Sequence, residues 1–206
     1  MRRLFVALAL ASVAIFASAL PASAAARYTL FGDATKVHPG FASHTAIQLR
    51  SVGSTFGGID FRVPSGLRFG DIQNLGTNYQ FTAGSCGGGA PRFQINVDGK
   101  NAFVYIGPPP NYTGCPQNVW QDTGNLATPV SFVDTSQLPG GTFYDTFATA
   151  DLKYGSDGVT GIQLVTDAGW LFGTQTVLAD NVRINDATYT FEGRGHGHEG
   201  DDSNDG

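Results

Sequence analysis

Cys86 and Cys115 are the only cysteines in the chain, and Cys86 opens the run "CGGGAPRFQINVDG" directly ahead of a strand-like stretch. The pair is too widely spaced for a C-x-x-C redox motif or a compact metal knuckle, so in an oxidising compartment it is expected to close a disulfide. A closed loop of about 30 residues contributes roughly 3–4 kcal/mol by restricting the unfolded chain. The three glycines do not suit a phosphate. No Lys-Ser/Thr follows them, and the next segment reads as a strand rather than a helix whose N-terminus would face an anion.

Other catalytic groups are sparse. His38 and His44 are the only histidines outside the tail, and no G-x-S-x-G or H-E-x-x-H motif occurs. Glutamate is absent between Arg27 and Phe191, so a glycosidase-like carboxylate pair would have to be built from two aspartates. Binding is better served. The segment "IGPPPNYTGCPQNVW" is a proline-stiffened loop that carries Tyr112 and Trp120, and "TDAGWLFG" presents Trp170 in a second turn. Sugar rings stack on aromatic faces, and a loop already held in shape avoids ordering entropy on binding. Large aromatics equally fill cores, and that alternative stands beside the sugar platform for both tryptophans.

The elements that would position these residues follow a period of two. "GGIDFRV" places Ile59, Phe61 and Val63 on one face, and "RFQINVD" does the same with Phe93, Ile95 and Val97. "AIQLRSV", "GIQLVTD", "ADNVRIN" and "ATYTFE" read as further short strands, and "AFVYIG" as one buried on both faces. Glycine, proline and aspartate turns separate them, the pattern of a β-sandwich or barrel. One stripe is helical: Phe143, Phe147, Ala150 and Tyr154 repeat at helix spacing, with Thr142 as expected cap and Gly155 as expected stop.

Both ends differ from the body. Arg2 and Arg3, the apolar run Leu4–Phe16 and the small residues of "PASAAA" predict a signal peptide over 1–24 and hence an exported, extracellular protein. The apolar run is too short for a membrane span. Residues 193–206, rich in His, Asp and Gly, predict a disordered tail whose His196 and His198 form a weak metal-binding pair at most. Residues 25–192 are left as a single domain. The formal net charge is −5 at pH 7, and the leader removes two arginines and no acid, which argues against nucleic acid or an anionic membrane as partner.

"GIQLVTDAGW" followed by "QTVLADNVRINDATYTF" resembles the last two strands of carbohydrate-binding jelly-roll modules, and "GGGAPRFQI" resembles a motif of secreted bacterial sandwich proteins. The resemblance covers roughly residues 84–192. It implies an all-β, antiparallel two-sheet β-sandwich of jelly-roll type, to which the stripe adds one short helix over about 143–154. It also implies a structural calcium ion, with Asp180 at the position that would ligate it. Calcium takes six to eight oxygens, so a lone aspartate is equally an ordinary strand-end residue. The expected function is non-catalytic recognition of a glycan or cell-surface polymer through Tyr112, Trp120 and Trp170. A polysaccharide-cleaving enzyme on the same scaffold and a structural or matrix protein are the alternatives.

Overall fold

The computed structural model describes residues 28–192. The expected signal peptide and the expected disordered tail with His196 and His198 lie outside the described residues. The chain runs β1 (Tyr28–Gly32), β2 (Ala34–Val37), β3 (Ala46–Val52), β4 (Gly57–Phe61), a 3-10 turn (Phe69–Asp71), β5 (Leu75–Ala83), β6 (Arg92–Val97) and β7 (Lys100–Tyr105). It continues through the short β8 (Gln121–Asp122), β9 (Phe132–Val133) and β10 (Asp145–Thr146) to α1 (Phe147–Tyr154), β11 (Val159–Thr166), α2 (Gly169–Phe172), β12 (Thr174–Ile184) and β13 (Ala187–Tyr189).

Two antiparallel sheets form the body, in the strand orders β1-β4-β11-β6-β7 and β2-β3-β12-β5-β8, with β13 beside the end of β12. The fold is therefore all-β and two-layered, as the alternation predicts. These orders define a sandwich and do not by themselves establish the jelly roll.

Period-two alternation explains which side chains face inward. Across the first sheet, Leu30, Ile59, Leu164, Phe93 and Val104 lie in register on the inner face. On the outer face the neighbouring row is Thr29, Asp60, Gln163, Gln94 and Phe103. The second sheet opposes it with Ala34, Leu49, Val177 and Phe81, again one row. Ile59, Leu49, Phe81 and Phe93 are fully buried, and each such side chain contributes about 1.5–3 kcal/mol.

Three expectations are corrected. The helix begins at Phe147, not 143. Asp145 and Thr146 first pair with Val133 and Phe132, so the chain is extended until Thr146, whose side chain accepts the Thr149 N–H and caps α1. Phe143 is left exposed, while Phe147, Ala150 and Tyr154 keep the predicted buried stripe. A second, one-turn helix, α2, follows at Gly169–Phe172. Finally, β7 is an edge strand buried on one face: Ala102 and Val104 point inward, whereas Phe103 and Tyr105 lie half-covered on the outer face.

Candidate functional site

The disulfide between Cys86 and Cys115 forms as expected, with 5.4 Å between the Cα atoms. It ties the glycine corner to the long loop that leads from β7 to β8. Around it, the Ser85 hydroxyl donates to the Cys115 carbonyl at 2.8 Å and the Gln117 amide to the Gly84 carbonyl at 2.8 Å. The Asn118 N–H donates to the Phe81 carbonyl at 2.7 Å. Prolines at 108, 109, 110 and 116 fix φ along the same loop. The loop is thus laid along the end of β5, and β8 then pairs Gln121 with Tyr79 and Asp122 with Asn78.

That pairing builds a cavity of about 580 Å³, lined by Tyr79, Pro108, Pro116, Trp120, Gln121 and Asp122 among others. The Trp120 ring is half-buried and packs on Phe41, centroid to centroid 5.6 Å and tilted by 58°. The Tyr79 hydroxyl donates to Gln121 Oε1 at 2.7 Å, and burial pushes its pKa up. Burial also pulls the Asp122 carboxyl upward, but the Arg183 guanidinium at 2.5 Å and the Gly124 N–H at 2.8 Å outweigh it, so its pKa lies below the usual carboxylate value. The cavity presents an aromatic face, a hydroxyl, an amide and a carboxylate. This set can stack on a polyhydroxylated ring and hydrogen-bond to it.

The three candidate aromatics do not share one groove. Tyr112 is not among the residues that line the Trp120 cavity. Its backbone sits at φ +51°, its ring lies 5.5 Å from Tyr105, and burial together with Tyr144 raises its pKa. Tyr105 in turn donates its hydroxyl to Asp134, and burial followed by that carboxylate raises its pKa strongly. Trp170 occupies a third place, 64% exposed on α2 above the glycine turn. A Cβ on Gly88 would lie 3.1 Å from its ring, and Gly88 has φ +62°. The glycine corner therefore serves as seat for an aromatic as well as hinge for the disulfide.

Asp180 is fully buried in β12, at a register irregularity between Asp180 and Arg183. Its Oδ2 accepts from the Phe41 N–H at 2.9 Å and the Ser43 hydroxyl at 2.5 Å, and its Oδ1 from the Asn181 N–H at 2.7 Å. Nearby, Glu192 Oε1 accepts from the His44 and Thr45 N–H groups at 2.7 and 3.3 Å, and Oε2 from the Thr45 hydroxyl at 3.5 Å. Burial, opposed in part by the Ser43, Asn181 and Phe41 donors and aided by the Glu192 charge, raises the Asp180 pKa. Each of these carboxylate oxygens accepts an N–H or O–H, so both carboxylates are satisfied by the chain itself. Among the described residues, no three or more His, Cys, Asp or Glu gather in a way that could hold a metal.

Four aspartates are paired with cations: Asp33 with Arg50, Asp122 with Arg183, Asp145 with Lys153 and Asp167 with Arg92. Phe41, Tyr79, Gln121, Asp122 and Arg183 are site residues that sequence reasoning missed. Gln121 and Asp122 directly follow Trp120, the one signal that could have found them. No protein-family model matches the chain, and no curated protein or solved structure is significantly similar to it.

Proposed function

We propose that this is an exported, non-catalytic binding protein that recognises a glycan or cell-surface polymer at the Trp120 cavity. The carrying observation is the half-exposed Trp120 ring beside the Tyr79 hydroxyl, Gln121 and Asp122, in a loop braced by a disulfide. A disulfide in the body of the fold accords with the oxidising compartment to which the leader sequence points. No helix among the described residues is long and apolar enough to cross a membrane.

The test is a glycan array with pull-down on insoluble polysaccharides, followed by variants. Trp120→Ala is expected to abolish retention, and Tyr112→Ala, which removes a ring packed beside Tyr105, to leave most of it. Absence of any retention, or retention indifferent to Trp120, overturns the reading. Release of reducing ends or unsaturated products would replace it with cleavage.

A second reading, contact with another protein, has its own observation. Val130, Phe143, Tyr144 and Leu152 are between 55 and 90% exposed around α1 and the loops beside it, and Phe132 packs edge-on against Tyr144. Exposed apolar surface of this kind is a mark of association. Under this reading, Leu152→Glu with Phe143→Ser removes co-purifying protein while polysaccharide retention is unaffected.

A further inference from the structure

We infer that Asp180 is a positioning residue for Trp120, acting through the loop that carries Phe41. As a statement about binding, this rests on the Trp120 reading above; as a statement about geometry, it stands alone. Near its end, β12 loses register with β5 after Asp180, and Asn181 takes φ +46°. Irregularities of this kind re-aim side chains, and here the carboxylate meets a loop some 139 residues earlier in the chain. It takes the Phe41 N–H and the Ser43 hydroxyl on one oxygen. The approach is close enough that a Cβ on Gly40 would fall 2.6 Å from Asp180 Oδ2 and 2.1 Å from Ser43 Oγ. The same residue whose N–H is held turns its ring onto Trp120.

A buried carboxylate leaves its donors only at the cost of desolvation, so the loop has little freedom to withdraw. The tether is made by the N–H and O–H donors of the loop itself.

The experiment uses a Trp170→Phe background, in which Trp120 is the sole tryptophan, and reads its emission and acrylamide quenching without any ligand. Phe41→Ala, Asp180→Asn and Gly40→Ala are each expected to red-shift Trp120 and increase its quenching. Phe41→Ala combined with Asp180→Asn should change it no more than the larger single variant. Ser43→Ala, which removes one donor from a half-exposed loop position, moves it in the same direction by less and covers the case in which Asp180→Asn does not fold. Emission is expected to be the same in excess calcium and in EGTA.

A shift on calcium removal overturns the inference, as does a Trp120 signal that responds to Phe41→Ala but to neither Ser43→Ala nor a folded Asp180→Asn. With a retained polysaccharide, Asp180→Asn should weaken binding roughly two- to tenfold, the factor that one aromatic contact commands. If the fluorescence responds as stated but no polysaccharide binds, the positioning role holds and the glycan reading falls.

Discussion

Arg92 holds Asp167 with both prongs of its guanidinium, at 2.8 and 2.7 Å. The partners come from the first residue of β6 and the turn before α2, so the contact joins a core strand to the helix that carries Trp170. The same side chain donates to Gln94 and to the Gly89 carbonyl, and lies 5.1 Å over the Phe103 ring. Its side chain is only 14% exposed, which takes the pair out of the range where surface ion pairs contribute almost nothing. Arg92→Ala is expected to cost about 1–3 kcal/mol in urea unfolding. Arg92→Lys should lose more than half of that, because an ammonium can neither fork onto a carboxylate nor lie flat on a ring.

Reduction is the next test of the frame. The disulfide spans 29 positions, and Cys86→Ser with Cys115→Ser should lower stability by roughly 3–4 kcal/mol on the chain-entropy account. Tyr79, whose hydroxyl lies 3.7 Å from Cys115 Sγ, reports the change locally. The expectation is a large drop in melting temperature for the double variant, and a comparable drop for the wild type under a strong reductant. Unchanged melting would mean that the surrounding bonds at Ser85, Gln117 and Asn118 hold the loop unaided.

What was legible in the sequence, and what was not, follows from the range of the interactions. β3 and the inward face of β6 are read from alternation alone, because each side chain's fate depends on its near neighbours and one buried face. β5 escapes the same reading. Gly76, Thr77 and Asn78 are polar or lack a side chain, yet all are buried, and the Thr77 hydroxyl is shared between the adjacent Asn78 carbonyl at 2.9 Å and the Asp180 carbonyl at 3.0 Å across the sheet. The helix boundary moves for a similar reason, since pairing with β9 keeps Asp145 and Thr146 extended. Tyr112, Trp120 and Trp170 are visible as aromatics in turns, but which of them share a surface depends on contacts with Tyr105, Phe41 and Gly88 that no local pattern encodes.

Acid should reveal the Asp145–Lys153 pair. Burial alone would raise the Asp145 carboxyl, but Lys153 Nζ at 2.8 and 2.9 Å, with hydroxyl help from Thr135, brings its pKa below the ordinary value. A carboxylate with a depressed folded pKa stabilises the fold above its unfolded pKa, and that stability is lost as pH falls toward the folded value. Asp145→Asn is therefore expected to be less stable than wild type by about 1–3 kcal/mol at neutral pH. The gap should close progressively below about pH 4. A gap that stayed constant down to acid pH would mean that the loss comes from packing rather than charge. Chemical denaturation at a series of pH values makes the comparison.

The glycine corner supplies the last prediction. Gly88 has φ +62°, and an added Cβ would meet the Trp170 ring at 3.1 Å and Leu171 at 3.3 Å. Two penalties are therefore superimposed in Gly88→Ala: the left-handed backbone, about 1–2 kcal/mol, and the displacement of an aromatic that is itself mostly exposed. Because Trp170 can swing outward, the second penalty should be the smaller. For a domain of this size, 1 kcal/mol corresponds to roughly 2–4 °C in melting temperature. Gly88→Ala should thus lower melting by a few degrees, and most of that loss should persist in a Trp170→Ala background, with the difference between backgrounds measuring the ring contact. In a Trp120→Phe background, where Trp170 is the sole tryptophan, its emission should shift on Gly88→Ala. If the whole loss vanishes once Trp170 is removed, the corner tolerates a side chain and the glycine is there to seat the ring.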